Sequence, residues 1–88
     1  MSYLLEVAEE LNKDFAKLAK RDKVLFEILT RKVQEIRENP YHYKSLRAPL
    51  QNKRRVHVGG SFVLIFSIDK QRTTVRLLEF EHHDQAYK

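Results

Sequence analysis

The sequence predicts an α+β fold with the element order β-α-α-β-β-β, in which a helical hairpin packs on one face of a small, mainly antiparallel sheet. Three observations predict this fold. The first half of the chain carries two stretches in which apolar residues recur at helical spacing, and the second half carries three stretches typical of strands, separated by short turns. The 88 residues leave room for one domain, which we expect to span residues 1–88.

The first half predicts a short strand followed by two helices. Residues 3–7 mix aromatic, aliphatic and acidic side chains and indicate the opening strand. Leu11, Phe15 and Leu18 then recur at spacings of four and three, which marks one apolar helical face. A second apolar face at comparable spacing is formed by Leu25, Ile28, Leu29, Val33 and Ile36.

Two polar signals mark the ends of the second helix. Asp22 is a candidate N-cap, because its carboxylate can accept hydrogen bonds from the unpaired backbone N–H groups of the first turn. Pro40 disfavours helical geometry in the residue before it, so the helix is expected to stop at Asn39. The short polar connection before Asp22 predicts an antiparallel hairpin.

The second half predicts an antiparallel meander. Residues 55–58 alternate between polar and apolar, the period-two pattern of a strand with one buried face, and the glycines at 59–60 indicate a turn. Residues 62–68 are apolar at nearly every position, as expected for a central strand covered on both faces. The polar turn 69–72 leads to a third strand over 73–80, rich in β-branched and large apolar residues.

The composition excludes several classes of protein. The chain has no cysteine, which excludes disulfides, thiolate catalysis and zinc-finger ligand sets. Residues 1–10 carry glutamates and no basic residue, which is the wrong composition for a signal peptide. The longest apolar run, 62–66, is too short to span a bilayer. We therefore expect a cytoplasmic protein that does not interact with membranes.

The placement of charge points to a polyanionic partner. The formal net charge is +5, and residues 39–68 contain no acidic residue. The cations in that stretch are Lys44, Arg47, Lys53, Arg54 and Arg55. A cationic patch without local compensation is the usual electrostatic footprint of a nucleic-acid-binding protein, and an acidic protein partner is the alternative.

Three short motifs carry a resemblance to a known family. Residues 54–59, Arg-Arg-Val-His-Val-Gly, are similar to a Tyr-Arg-x-Arg-x-Gly strand, and the apolar strand 62–66 follows it. Residues 82–87, His-His-Asp-Gln-Ala-Tyr, are similar to a C-terminal His-Arg-x-x-x-Tyr segment. With Asn-Pro at 39–40, Leu-Arg at 46–47 and the order of elements, these motifs resemble the RelE/ParE toxin superfamily of type II toxin–antitoxin systems over essentially the whole chain.

The resemblance implies a toxin that acts as a messenger-RNA endoribonuclease, on free or ribosome-bound RNA, and that is neutralised by an acidic cognate antitoxin. The toxin alone is expected to be monomeric. Members of the superfamily that poison DNA gyrase give one alternative, and a degenerate binding module of the same fold gives another. Two departures from the ribonuclease pattern bear on this choice, because Val63 and His83 stand where arginines are common.

Cutting RNA through its own 2′-hydroxyl group needs a base for the 2′-OH proton, an acid for the departing 5′-oxygen and positive charge for the transition state. Histidine suits the first two roles because its ordinary pKa, about 6.5, lies near the working pH. Arginine suits the third because its planar guanidinium group binds two phosphate oxygens at once. Such a site needs no metal, and no cofactor is expected.

Strand parity groups the candidate catalytic residues. If Val56 and Val58 face the helices, Arg55 and His57 project together from the opposite face of the sheet. In the predicted meander the C-terminal segment can reach that face and bring further side chains towards His57, namely His82, His83 and Tyr87.

These residues receive the following predicted roles. His57 and His83 are the candidate acid and base, Arg55 is the candidate phosphate ligand, and Tyr87 could stack on a base or hydrogen-bond near the 2′-OH. The predicted RNA-binding set is Lys44, Arg47, Lys53, Arg54, His82 and Asp84, of which Asp84 could also orient an imidazole.

The histidines have other interpretations. Zinc could be bound by His57, His82, His83 and Asp84, since imidazole and carboxylate are zinc ligands. The sequence lacks two histidines one helical turn apart, so we predict no metal site. His42, between Tyr41 and Tyr43, is expected to cap the helical hairpin or to contact a partner.

Overall fold

A computed structural model describes residues 2–46 and 52–82. Its elements follow the predicted order: β1 Leu4–Val7, α1 Glu9–Arg21, α2 Lys23–Glu38, a short 3₁₀ helix Pro40–His42, β2 Lys53–Val58, β3 Phe62–Asp69 and β4 Thr74–His82. The predicted α+β fold is therefore confirmed. No helix within the described ranges has the length and apolar character needed to cross a bilayer.

The four strands form one sheet in the order β1-β4-β3-β2. β3 pairs antiparallel with β2 and with β4, whereas β1 pairs parallel with β4. The sheet is thus mainly antiparallel, as predicted, with one parallel edge strand. A register shift between Ile65 and Phe66 marks a bulge in the pairing of β3 with β4.

The hydrophobic core lies between the helical hairpin and one face of the sheet. The apolar stripes that the sequence indicates are the ones that pack, since Leu11 of α1 and Leu29 and Ile36 of α2 are buried. The sheet contributes Val58, Leu64, Phe66, Val75 and Leu77. Residues of β3 are buried or half-buried on both faces, which confirms the prediction of a central strand.

The ends of α2 are capped as predicted. The backbone N–H of Leu25 donates to Asp22 Oδ1 at 3.0 Å, so the side chain of Asp22 is the N-cap. The helix ends at Glu38, and the N–H of Asn39 donates to the carbonyl of Glu35. Pro40 then begins the 3₁₀ helix, where its fixed φ angle is compatible with a first turn.

Two strands are longer than the sequence predicts. β2 begins at Lys53, because the Lys53 carbonyl accepts from Leu46 N–H at 2.8 Å. β4 continues to His82, which pairs with Phe62 of β3. Both extensions depend on backbone pairing with another segment of the chain. The local pattern of side chains does not indicate such pairing.

Candidate functional site

A cavity of about 340 Å³ opens at the outer edge of β2. It is lined by His42, Tyr43, Lys44, Arg55, Val56 and His57. The lining therefore includes two cations and two imidazoles, and none of the six residues is acidic. We call this feature the cationic cavity.

The pleat of β2 positions two of the predicted catalytic side chains. Val58 is fully buried in the core and Val56 packs against it. Because side chains alternate along a strand, Arg55 and His57 lie together on the face away from the helices. The condition for this predicted arrangement, that Val56 and Val58 face the helices, is met, and the catalytic roles of Arg55 and His57 stay predictions. Lys53 has the same parity and lies on the same face.

The other wall of the cationic cavity comes from the segment after α2. The N–H of Arg55 donates to the carbonyl of Lys44 at 3.2 Å, and Ser45 forms an isolated antiparallel bridge with Arg54. These contacts fix Lys44 alongside β2. Lys44, a predicted RNA-binding residue, and Arg55, the candidate phosphate ligand of the catalytic set, thereby line one cavity although they are eleven positions apart in the sequence.

Arg54 has a structural role that its position in a cationic run does not reveal. It shares the parity of Val56 and lies on the helix side of the sheet. Its Nη1 donates to the carbonyl of Tyr43 at 2.6 Å, and its guanidinium carbon lies 5.2 Å from the centroid of the Tyr41 ring. Arg54 thus holds the segment that forms the cavity wall, and its predicted contact with RNA stays a prediction.

His42 and Tyr43 line the cationic cavity, although the sequence predicted only that His42 caps the helical hairpin or contacts a partner. The Tyr43 ring contacts buried Phe66 edge-on at 5.9 Å, and the His42 ring contacts Tyr43 edge-on at 5.1 Å. Burial raises the pKa of the Tyr43 hydroxyl, Lys32 nearby lowers it and Glu35 raises it. The available signal was an aromatic pair directly before Lys44 in a stretch without acidic residues.

His82 lies on the face opposite His57. It pairs with Phe62 in the sheet, and its ring contacts the Phe62 ring at 5.5 Å. Phe62 packs against the core, whereas His57 pairs with Val63 on the other face. The expected approach of His82 to His57 is therefore wrong, because β4 stays a strand through His82 and strand parity holds.

That geometry also bears on the zinc alternative. His57 and His82, which that alternative combined, lie on opposite faces of the sheet. Over residues 2–46 and 52–82, no three His, Cys, Asp or Glu side chains cluster in a way that could hold a metal ion. Four residues of the predicted site lie outside the described residues and keep their roles as predictions: Arg47, His83, Asp84 and Tyr87.

Comparisons with known proteins agree with the fold. The family described as ParE toxin of type II toxin–antitoxin systems, parDE, matches residues 5–87. A Methanocaldococcus jannaschii protein assigned as toxin RelE4 is 45% identical over 86 residues, which cover 98% of this chain and 92% of that protein.

Solved structures show the same architecture. A RelE variant of E. coli in the free state superposes with a TM-score of 0.78 at 19% identity, covering 99% of this chain and 90% of that one. The RelBE2 toxin–antitoxin complex of Mycobacterium tuberculosis contains a chain that superposes with a TM-score of 0.75 at 23% identity. The match covers 94% of this chain and 100% of that one. At these identities the likeness is one of fold.

Proposed function

The chain belongs to the RelE/ParE superfamily of toxins from type II toxin–antitoxin systems, and on that premise we propose that it cuts messenger RNA with the side chains of its cationic cavity. The observation that carries this proposal is the placement of His57 beside Arg55 and Lys44 in one cavity that no acidic residue lines. An endoribonuclease needs a proton-transfer group next to phosphate ligands, and these three side chains provide both.

The proposed reaction is attack of the RNA on itself. A base removes the proton of the 2′-OH, the 2′-oxygen forms a bond to phosphorus, and the bond from phosphorus to the 5′-oxygen breaks. An acid gives a proton to the departing 5′-oxygen, which leaves a 2′,3′-cyclic phosphate and a 5′-hydroxyl end. His57 serves one of the two proton-transfer roles, and Arg55 stabilises the charge on the phosphorane-like transition state.

Two residues outside the described ranges complete the proposal. His83 takes the second proton-transfer role, and Tyr87 stacks on a base or hydrogen-bonds near the 2′-OH. Both assignments come from the resemblance of residues 82–87 to the C-terminal segment of the superfamily. Superfamily ribonucleases often have arginine at the position of Val63, and valine has no charge with which to bind phosphate. In this proposal Arg55, Lys44 and Lys53 therefore bind the phosphates.

The proposed partners are messenger RNA, free or on the ribosome, and an acidic antitoxin. A net charge of +5 and the acid-free stretch 39–68 support both partners. The similar M. tuberculosis chain is seen in a toxin–antitoxin complex. We place the toxin in the cytoplasm, where messenger RNA is translated, and as a monomer until the antitoxin binds.

Inhibition of DNA gyrase is the second candidate function. It is favoured by the family match, which is to the ParE toxin of parDE systems. A gyrase-directed toxin would need no proton-transfer side chain, so substitution of His57 would leave its toxicity intact. Gyrase supercoiling assays with the purified chain test this candidate directly.

The deciding experiment is controlled expression of the wild type, His57→Ala and His82→Ala, with mapping of new 5′ ends in cellular RNA. His82→Ala is the matched control, because it removes an imidazole from the opposite face of the sheet. We expect discrete cuts that fall by about 10²- to 10⁴-fold in His57→Ala and persist in His82→Ala. Growth arrest without cuts would contradict the ribonuclease proposal and favour gyrase.

A further inference from the structure

We propose that His42 is a base-stacking residue of the cationic cavity, against which one unpaired base of the RNA substrate packs. This inference rests on the proposed ribonuclease function and deepens it, because it assigns a subsite for a nucleobase beside the phosphate ligands. The observation behind it is that part of the cavity lining is aromatic, formed by His42 and Tyr43 directly before Lys44.

The ring of His42 is exposed but held in place. His42 belongs to the 3₁₀ helix Pro40–His42, and its backbone N–H donates to the carbonyl of Asn39. A chain of edge-on ring contacts joins it through Tyr43 to Phe66, which is fully buried. An exposed ring anchored to the core can stack on a base with little further loss of conformational freedom.

The backbone next to His42 is fixed from the other side by β2. Arg54 donates to the Tyr43 carbonyl, and Arg55 N–H donates to the Lys44 carbonyl. His42 is therefore held at a constant position relative to Arg55 and Lys44. A base stacked on His42 and a phosphate bound by these cations can belong to one nucleotide. The same segment of the chain positions both contacts.

Tyr43 supports His42 and does not itself carry the base. Tyr43 packs against the hydrophobic core, and burial raises the pKa of its hydroxyl, with smaller effects from Lys32 and Glu35 of α2. Its ring is engaged edge-on by Phe66 and by His42. Between the two aromatic side chains, only His42 is exposed.

The size of the cationic cavity limits what it can hold. A volume of about 340 Å³ is at the small end of the range for small-molecule sites, roughly 300–1,000 Å³. One nucleotide fits such a volume better than several. An aromatic ring stacks on a base and not on the sugar–phosphate backbone of RNA. Single-stranded RNA has unstacked bases that can make this contact.

The test is binding of a fluorescein-labelled single-stranded RNA ten nucleotides long, with every variant in a His57→Ala background to prevent cleavage. Removing the ring in His42→Ala is expected to raise the dissociation constant about 5- to 150-fold, the loss that corresponds to stacking of one base. His42→Phe keeps a ring and is expected to bind like the parent. His42→Lys supplies a positive charge without a ring and is expected to bind as weakly as His42→Ala.

The outcomes separate this inference from the proposed function. If the parent binds the RNA and His42→Ala binds equally well, base stacking by His42 is wrong while RNA binding stands. If His42→Lys binds like the parent, charge and not stacking is the contribution, and the inference is again overturned. If the parent itself does not bind single-stranded RNA, this inference is overturned, and the mapping of 5′ ends in cellular RNA decides separately whether the proposed function holds on ribosome-bound RNA. Equal thermal melting of all four proteins confirms that each is folded.

Discussion

Lys53, Arg54 and Arg55 form an uninterrupted run of cations, yet they have different environments in the folded chain. The pleat of β2 sends Lys53 and Arg55 to the face away from the helices and Arg54 to the helix side. On that side Arg54 bonds the Tyr43 carbonyl and lies over the Tyr41 ring. Charge in the sequence therefore indicated a basic region correctly, but only strand parity separates the cation that supports the fold from those on the face away from the helices.

Arg54→Ala is expected to destabilise the fold. It removes a hydrogen bond donated by a charged group and a cation–π contact, which together correspond to about 2–3 kcal/mol in the free energy of unfolding. Lys53→Ala removes the same charge from the neighbouring position and is the control, with an expected change of about 0.5 kcal/mol or less. Urea denaturation of both variants measures the difference, and equal losses would show that Arg54 contributes only charge.

The loss at Arg54 is expected to extend to the site. Without its bond to the Tyr43 carbonyl, the segment that carries His42 and Lys44 loses one of its hydrogen bonds to β2. Arg54→Lys keeps the charge but lacks the planar fork, so it should restore the stability only in part.

At the scale of elements, the helices were predictable because their signals are local. The apolar stripe of α2 and its N-cap Asp22 both lie within one stretch of sequence, and both predictions are confirmed. The strands were located, but the start of β2 and the end of β4 were not. The bridge of Ser45 with Arg54 and the pairing of Phe62 with His82 join remote segments, and no local pattern encodes them.

The wrong prediction of where β4 ends affected the predicted site. The sequence places the end of the third strand at Phe80, which would release His82 to approach His57. Since β4 continues, His82 stays on the face of Phe62 and Phe80. A different pairing, that of Ser45 with Arg54 of β2, places the segment of His42 at the cationic cavity. The spacing of residues in the sequence does not indicate this position.

The N-cap of α2 gives a prediction at the element scale. Asp22→Ala removes the acceptor for the Leu25 N–H and is expected to cost about 1 kcal/mol, which lowers the melting temperature by about 4–8 °C in a domain of this size. Asp22→Asn keeps a side-chain oxygen and should melt close to the wild type. A loss in Asp22→Asn as large as that in Asp22→Ala would mean that charge, and not the cap, stabilises the helix.

The turn between β2 and β3 gives a second prediction at this scale. Gly59 and Gly60 have φ angles of +65° and +82°, so alanine is strained at either position by about 1–2 kcal/mol. At Gly59 a Cβ would also lie 2.8 Å from Leu25 Cδ1, whereas at Gly60 nothing lies within 4 Å. Gly59→Ala should therefore lower the free energy of unfolding by ~1–3 kcal/mol more than Gly60→Ala does. Coinciding denaturation curves of Gly59→Ala and Gly60→Ala would show that Leu25 moves aside without a cost in free energy.

At the scale of the whole molecule, charge is separated across the sheet. On the face away from the helices, His57 and Arg55 of β2 lie in register with Glu81 and Glu79 of β4, with β3 between them. Two strand spacings, about 10 Å, separate the rows. The carboxylates continue into a groove of about 470 Å³ whose lining includes Glu9, Glu10 and Asp14 of α1.

This separation orients the approach of a polyanion. A polyanion is attracted to the side formed by β2 and Lys44 and repelled by the carboxylates of β4 and of the first two turns of α1. The acidic groove also limits the length of RNA that the face can follow. We expect contacts with a few phosphates around the cationic cavity, and not a track across the sheet.

Salt dependence tests this localisation of charge. RNA affinity is expected to fall as salt rises, with a slope set by the number of phosphates neutralised, and each contact to single-stranded RNA adds about 0.7 to that slope. Lys44→Ala should weaken binding and reduce the slope by about that amount, because Lys44 lines the cationic cavity. Lys70→Ala removes the same charge from the exposed turn between β3 and β4 and should leave the slope unchanged. Equal effects of the two substitutions would mean that RNA responds to net charge alone, and the cationic cavity would then not be where its phosphates bind.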